Sequence, residues 1–265
     1  RWSFASQERD TIERLAKEVN WGRVAALSDR HRVQGLVWHC LRQFEAIVPA
    51  SAVAILSDRA SETTAHNLRS AHLCRSLLNR FAAAGVPLIF LKGLTLSKLA
   101  YGDPFRKMGW DIDILVAPDA TQRAASELAR MEFRSIVPPD PTRIPDWHRR
   151  RKESVWRSPE GISVELHTRL ADNPQVIPAI GIGPAIQQVE IAPGLILPTL
   201  VLDDLFAYLC VHGASSAWFR LKWVTDFAAL FHDCPTDRLE HLYNHALDAG
   251  AGRAVDQALL LAARI

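Results

Sequence analysis

Asp111 and Asp113, one residue apart in the run DIDILV, are the side chains of this sequence best placed to do chemistry. Successive side chains of a β-strand point to opposite faces, so both carboxylates share one side while Ile112 and Ile114 turn to the core. Carboxylates held side by side repel each other unless a cation sits between them. A hard divalent ion, which prefers oxygen ligands, suits that seat. The plainer alternative is a surface strand whose polar face happens to hold two acids. Further on, Ile162, Val164 and Leu166 alternate with Ser163, Glu165 and His167, so Glu165 and His167 share the polar face of a second strand. If the two strands are neighbours, three carboxylates converge. His167 is then expected to hydrogen-bond to the ligands rather than to ligate, because magnesium favours oxygen.

Upstream lies an apolar run at 88–91, then Lys92 and Gly93, then a pattern compatible with a short helix at 94–99. Gly93 would stand at the N-terminus of that helix, where backbone N–H groups and the helix dipole favour an anion and a glycine lets a phosphate approach closely. Thr95 and Ser97 offer hydroxyls, and Lys92 and Arg106 flank the acidic strand as candidate phosphate contacts. The alternative is an ordinary strand-to-helix turn. Anion site and acidic pair together are more informative, since magnesium bridging carboxylates to a nucleotide's phosphates needs both parts.

The stretch LKG…YGDPFRKMGWDIDILV resembles the active-site signature of the polymerase-β-type nucleotidyltransferase superfamily. More narrowly, it is similar to a mostly uncharacterised bacterial branch in which Lys-Gly replaces the usual Gly-Ser. By that resemblance Gly93 matches the turn, Asp111 and Asp113 the metal pair, and Glu165 in GISVELHTRL the third acid. Two departures stand out: no serine follows Gly93, and the third acid is Glu rather than Asp. The later run WFRLKWVTDFAALF is similar to the C-terminal helices of the same branch. There Lys222 and Asp226, four apart, suit a helical ion pair; by analogy with the superfamily, Lys222 or Arg220 would neutralise triphosphate charge.

The resemblance implies transfer of a nucleoside monophosphate, AMP from ATP as the expected case, with release of pyrophosphate. Two magnesium ions on Asp111, Asp113 and Glu165 are implied. The acceptor would be a hydroxyl or phosphate of a protein, peptide or small molecule. Alternatives are a catalytically idle fold that binds a partner protein, and a phosphotransferase that uses the γ-phosphate.

Elements around these residues must hold them in place. With 265 residues and 48% hydrophobic content, the chain can bury a sizeable core. The expected class is α+β: a small mixed sheet in a core at 86–170, between a helical region at 1–85 and a crossover with helices at 171–265. A formal charge of +2 and a pI near 8.5 imply no broad polyanion-binding surface, so no nucleic-acid acceptor is expected. Cys40, Cys74, Cys210 and Cys234 have no C-x-x-C spacing and fit reduced thiols in a cytoplasmic protein. No apolar run approaches a membrane span and no signal peptide is visible. The sequence starts at Arg1 rather than Met and stops within a helical pattern, as a piece of something longer would.

The N-terminal region shows helical periodicity with Trp2, Trp21 and Trp38 as packing anchors, and carries no chemistry that its residues identify. Asp119 with Gln122 has capping-box spacing. Prolines 138, 139, 141 and 145 mark a surface loop long enough to be a substrate-facing flap. The basic run 148–152 suits either an anionic ligand or a protected strand edge. Residues 174–198 read as an irregular crossover. Thr199 reads as the cap of a helix with Asp203 and Asp204 in its first turn, ended by Gly213. His241 and His245 lack an accompanying H-E-x-x-H motif and read as surface or core residues.

Overall fold

The computed structural model describes residues 6–44, 46–183 and 185–265, so Trp2 lies outside the described residues. The N-terminal region is helical: α1 (Ser6–Leu15), α2 (Trp21–His31), α3 (Gln34–Leu41) and the long α4 (Ala50–Ala83). Apolar residues recurring along α4, from Leu56 through Leu77 to Phe81, are fully buried. The helix stops where Gly85 takes a φ of 65° and Pro87 follows.

The chain then lays down β1 (Leu88–Phe90), α5 (Leu94–Tyr101), β2 (Asp111–Val116), α6 (Thr121–Arg130), β3 (Arg134–Val137), α7 (Ile144–Arg150), β4 (Glu153–Arg157) and β5 (Ser163–His167). These strands form one mixed sheet in the order β1-β2-β5-β4-β3, with β2 and β5 parallel and every other pair antiparallel. A hairpin, β6 (Ile186–Ala192) and β7 (Leu195–Leu200), follows. Four helices end the chain: α8 (Leu202–Ser215), α9 (Leu221–Phe231), α10 (Thr236–Asp248) and α11 (Arg253–Ala262). The expected α+β class holds. Among the described residues no helix is long and apolar enough to cross a membrane.

Period-2 alternation divides the core in two. Ile112, Ile114, Val164 and Leu166 face a cluster built with α4, α6 and the β6–β7 hairpin. Each is buried and contributes roughly 1.5–3 kcal/mol by leaving water. Ile89, Leu91 and Leu115 belong instead to a second cluster with α8, α9, α10 and α11. The face carrying Asp113 and His167 is therefore roofed by the C-terminal helices, and both residues are nearly inaccessible.

Several local expectations are corrected. A 3-10 turn at Pro118–Ala120 precedes α6, and neither Asp119 nor Gln122 caps it. Residues 186–200 are a hairpin rather than an irregular crossover, and Thr199 is a buried member of β7; Val201 stands at the start of α8. Asp203 and Asp204 do occupy the first turn of α8. They also bind α10, through Arg238 and His241 on Asp203 and His245 on Asp204 at 2.9 Å. Gly213 does not stop α8; a Cβ there would meet the Trp218 ring at 2.3 Å, so the glycine makes room for packing. The proline-rich segment holds α7, and His148, Arg149 and Arg150 lie in that helix rather than on a strand edge. His148 is buried between Thr168 and Ser154, 3.0 Å from each hydroxyl.

Candidate active site

Strand register assembles the acidic centre. Because β2 and β5 are parallel neighbours, Asp113 lies directly beside Glu165, and Asp111 beside Ser163. The alternation that buries Ile112 and Val164 turns all three acids to the other face, into a cavity roofed by α8 and α9. His167 sits on the same face of β5. Its Nε2 lies 3.3 Å from Asp113 Oδ1 and 3.5 Å from Glu165 Oε2. Its Nδ1 is 3.4 Å from Glu153 but lacks hydrogen-bond geometry, leaving that buried atom unsatisfied.

Asp113, Glu165 and His167 each offer an atom within 4.8 Å of the others, a spacing that suits one cation. Asp111 falls outside that tight group yet lines the same cavity. Burial, with Asp113 and Asp111 alongside, pushes the Glu165 carboxyl up to about 7 even though His167 hydrogen-bonds to it. Three carboxylates converging on one wall of the cavity offer the oxygen donors that fit a hard divalent cation, which Asp111, Asp113 and Glu165 would hold.

The turn before α5 is shaped for close approach. Gly93 has φ 69° and ψ −121°, a conformation open to glycine but strained for other residues. Lys92 reaches back to Asp113, Nζ to Oδ1 at 2.9 Å. Burial opposes the charge of Lys92, but Asp113, with Tyr208, Asp111 and Glu165 behind it, outweighs burial and holds the ammonium well above its usual range. Burial likewise opposes the charge of Asp113, and Lys92 and His167 hold its carboxyl well below the usual carboxylate range.

The remaining walls come from distant segments. The loop after α5 brings in Lys107, Met108 and Gly109. It is pinned by Asn67 of α4, whose Nδ2 donates to the carbonyls of Phe105 at 3.1 Å and Lys107 at 2.7 Å. Lys107 is buried and pairs with Asp226 of α9 at 2.8 Å; the Tyr101 hydroxyl donates to the other Asp226 oxygen at 2.9 Å. Asp226 is thus committed to these two rather than to Lys222. Burial, followed by the charge of Lys107, drops the Lys222 ammonium to about 8, although Asp111 and Asp226 draw it up. His212 of α8 also lines the cavity, between the rings of Tyr208 and Trp223, and burial holds it neutral.

Of the residues expected to touch a nucleotide, Lys92, Gly93 and Lys222 line the cavity with the three acids. Thr95 is buried, its hydroxyl donating to the Lys92 carbonyl at 3.2 Å. Arg106 bonds the Tyr101 carbonyl at 3.2 Å and lines a separate groove with Trp38 and Arg42. Arg220 precedes α9 and stacks over Phe219 at 5.0 Å, outside the cavity lining. The N-terminal helices, in contrast, supply Arg32 to the lining. Nothing in the local sequence marks Arg32, because its neighbours in the cavity are far along the chain.

A parallel strand pair bearing opposed carboxylates, a glycine turn at a helix start and a cationic wall thus meet in one cavity. Residues 17–265 match a family described as uncharacterised nucleotidyltransferases, and the chain belongs to that family. No curated protein matches the chain.

Proposed function

We propose that this chain is a magnesium-dependent nucleotidyltransferase that moves a nucleoside monophosphate, AMP from ATP in the favoured case, to a hydroxyl or phosphate of a protein, peptide or small molecule, releasing pyrophosphate. The observation carrying this reading is the register of Asp113 against Glu165, with Asp111 in the same cavity. Magnesium bound there would neutralise the phosphates and align the attacking and leaving oxygens.

The protein's own groups do the rest. Lys92 and His167 fix the Asp113 carboxylate from two sides. Glu165, in register with Asp113, would stand on the acceptor side of the metal, where a carboxylate can take the acceptor's proton. Lys222, which has no carboxylate at ion-pair distance among the described residues, supplies positive charge. Lys107, held by Asp226, stiffens the wall beside it. The roof of α8 and α9 limits water around the acids. A cytoplasmic location suits the reduced thiols and an ATP substrate.

Incubation with ATP and magnesium tests the reading by product. Pyrophosphate from the parent, and at least about a hundredfold less from Asp113→Asn, is expected for loss of several kcal/mol of transition-state stabilisation. ADP as product would mean γ-phosphate transfer. Nucleotide binding indifferent to magnesium, with no product, would mean a binding fold.

A further inference from the structure

The charges lining the cavity do not cancel in pairs. Lys92 takes Asp113, Lys107 takes Asp226 and Lys152 takes Glu153. Among the described residues, Arg32 and Lys222 are left as lining cations without a carboxylate within ion-pair distance, while Asp111 and Glu165, the acids proposed to hold the metal, are left without a lysine or arginine partner. Lys222 is buried and approaches only the Trp223 ring, at 5.8 Å. Arg32 lies over the ring of Trp110, 5.6 Å from its centroid, and feels the charges of Asp111, Glu165 and Arg220.

Arg32 reaches this position at a conformational cost. It ends α2 with φ 56° and ψ 42°, its N–H returning to the carbonyls of Asp29 and Ser28. Glycine or asparagine is the favoured residue at such a left-handed helix end, because a Cβ crowds the backbone there. Arginine in that position, with no ion partner, signals a side chain kept for something other than folding. The turn is also docked on the helix that carries Lys222: the Leu221 N–H donates to His31 Nδ1 at 3.2 Å. At Gly35 α3 presses against the Arg106 carbonyl so closely that a Cβ would lie 2.1 Å from it. The N-terminal helices therefore contribute both a wall and a charged group to the cavity.

We propose that Arg32 and Lys222 form one anion subsite, built jointly by the end of α2 and by α9, that grips a di- or polyphosphate. Two cations that repel each other in a partly desolvated wall match a ligand carrying several negative oxygens. Arg32 can present two donors to one phosphoryl group while Lys222 meets another as a point charge. That the natural ligand is the pyrophosphate end of a nucleoside triphosphate rests on the function proposed above; the subsite itself rests on the unmatched cations and the left-handed arginine.

The test is calorimetric titration of the full chain with inorganic pyrophosphate and with tripolyphosphate, in chelator to exclude divalent ions, together with thermal unfolding. The parent is expected to bind, and Arg32→Gly, Arg32→Asn and Lys222→Met each to weaken binding by about tenfold or more. Arg32→Gly and Arg32→Asn are further expected to keep or raise Tm, because they relieve the left-handed backbone; a residue present for structure would lower it. Unchanged polyphosphate binding, or a fall in Tm with Arg32→Gly, would overturn the proposal. So would unchanged KM for ATP in the Arg32 variants of an active enzyme, with nucleotidyl transfer left standing. Polyphosphate binding lost in the variants, with a parent that turns over no nucleotide, would uphold the subsite and end the nucleotidyltransferase reading.

Discussion

Lys222→Met should make the ligand-free protein more stable while disabling it. Burial drops the folded-state value of Lys222 from an ordinary 10.5 to about 8. Between those values the unfolded chain binds more protons than the folded one, so the stability of the parent rises with pH through that window. Below it the lysine is charged in both states and the fold bears the full cost of burying it, about 3 kcal/mol at pH 7. Methionine keeps the length of the side chain and lacks the charge. It forfeits the contact with the Trp223 ring, 5.8 Å away, worth about 0.5–1 kcal/mol. A net gain of about 2 kcal/mol remains, or about 4 °C in Tm for a chain of this size. At pH 10 the parent lysine is largely neutral when folded, and the gain should shrink below about 1 kcal/mol. Thermal unfolding at both pH values, beside an ATP turnover assay, reads the two effects separately. A lower Tm at pH 7, or an equal gain at pH 10, would refute the argument that an uncompensated charge is buried in this wall.

Other perturbations should separate structure from chemistry. Asp226→Asn strands the buried Lys107 and should cost about 3–5 kcal/mol in chemical denaturation, whereas Tyr101→Phe, which removes one hydrogen bond to the same carboxylate, should cost only about 1 kcal/mol. Gly93→Ala meets nothing closer than the Asp111 carbonyl at 4.0 Å, so its cost is conformational, about 1–3 kcal/mol in unfolding free energy. Asp111→Asn breaks no ion pair and should leave Tm within a few degrees of the parent while ATP turnover falls by at least about a hundredfold.

The acids were legible because strand periodicity is local: alternating Ile and Asp, then Val and Glu, fixes which side chains share a face. Glycine between strand and helix was legible for the same reason. That β2 and β5 are parallel neighbours is a non-local fact, and the sequence alone could state it only as a condition. The β6–β7 hairpin falls where the sequence reads as an irregular crossover, although Pro193-Gly194 between two apolar runs is a turn signal, with Gly194 at φ 74°. Pro198 and the prolines before it argued for a loop instead. Helical spacing suits a pair of Asp226 with Lys222, but Lys107 arrives from a loop more than a hundred residues earlier and a buried partner outcompetes a neighbour on the helix. Arg32 had no local signature, since its role comes from α2 ending against α9.

Manganese titration of the protein with a non-hydrolysable ATP analogue, followed by electron paramagnetic resonance, addresses the proposed metal centre most directly. Uptake of two ions per chain by the parent, reduced in Asp113→Asn and in Glu165→Gln without loss of the folded state, is the expected result. Uptake that is absent in the parent, or undiminished in both variants, would contradict the account.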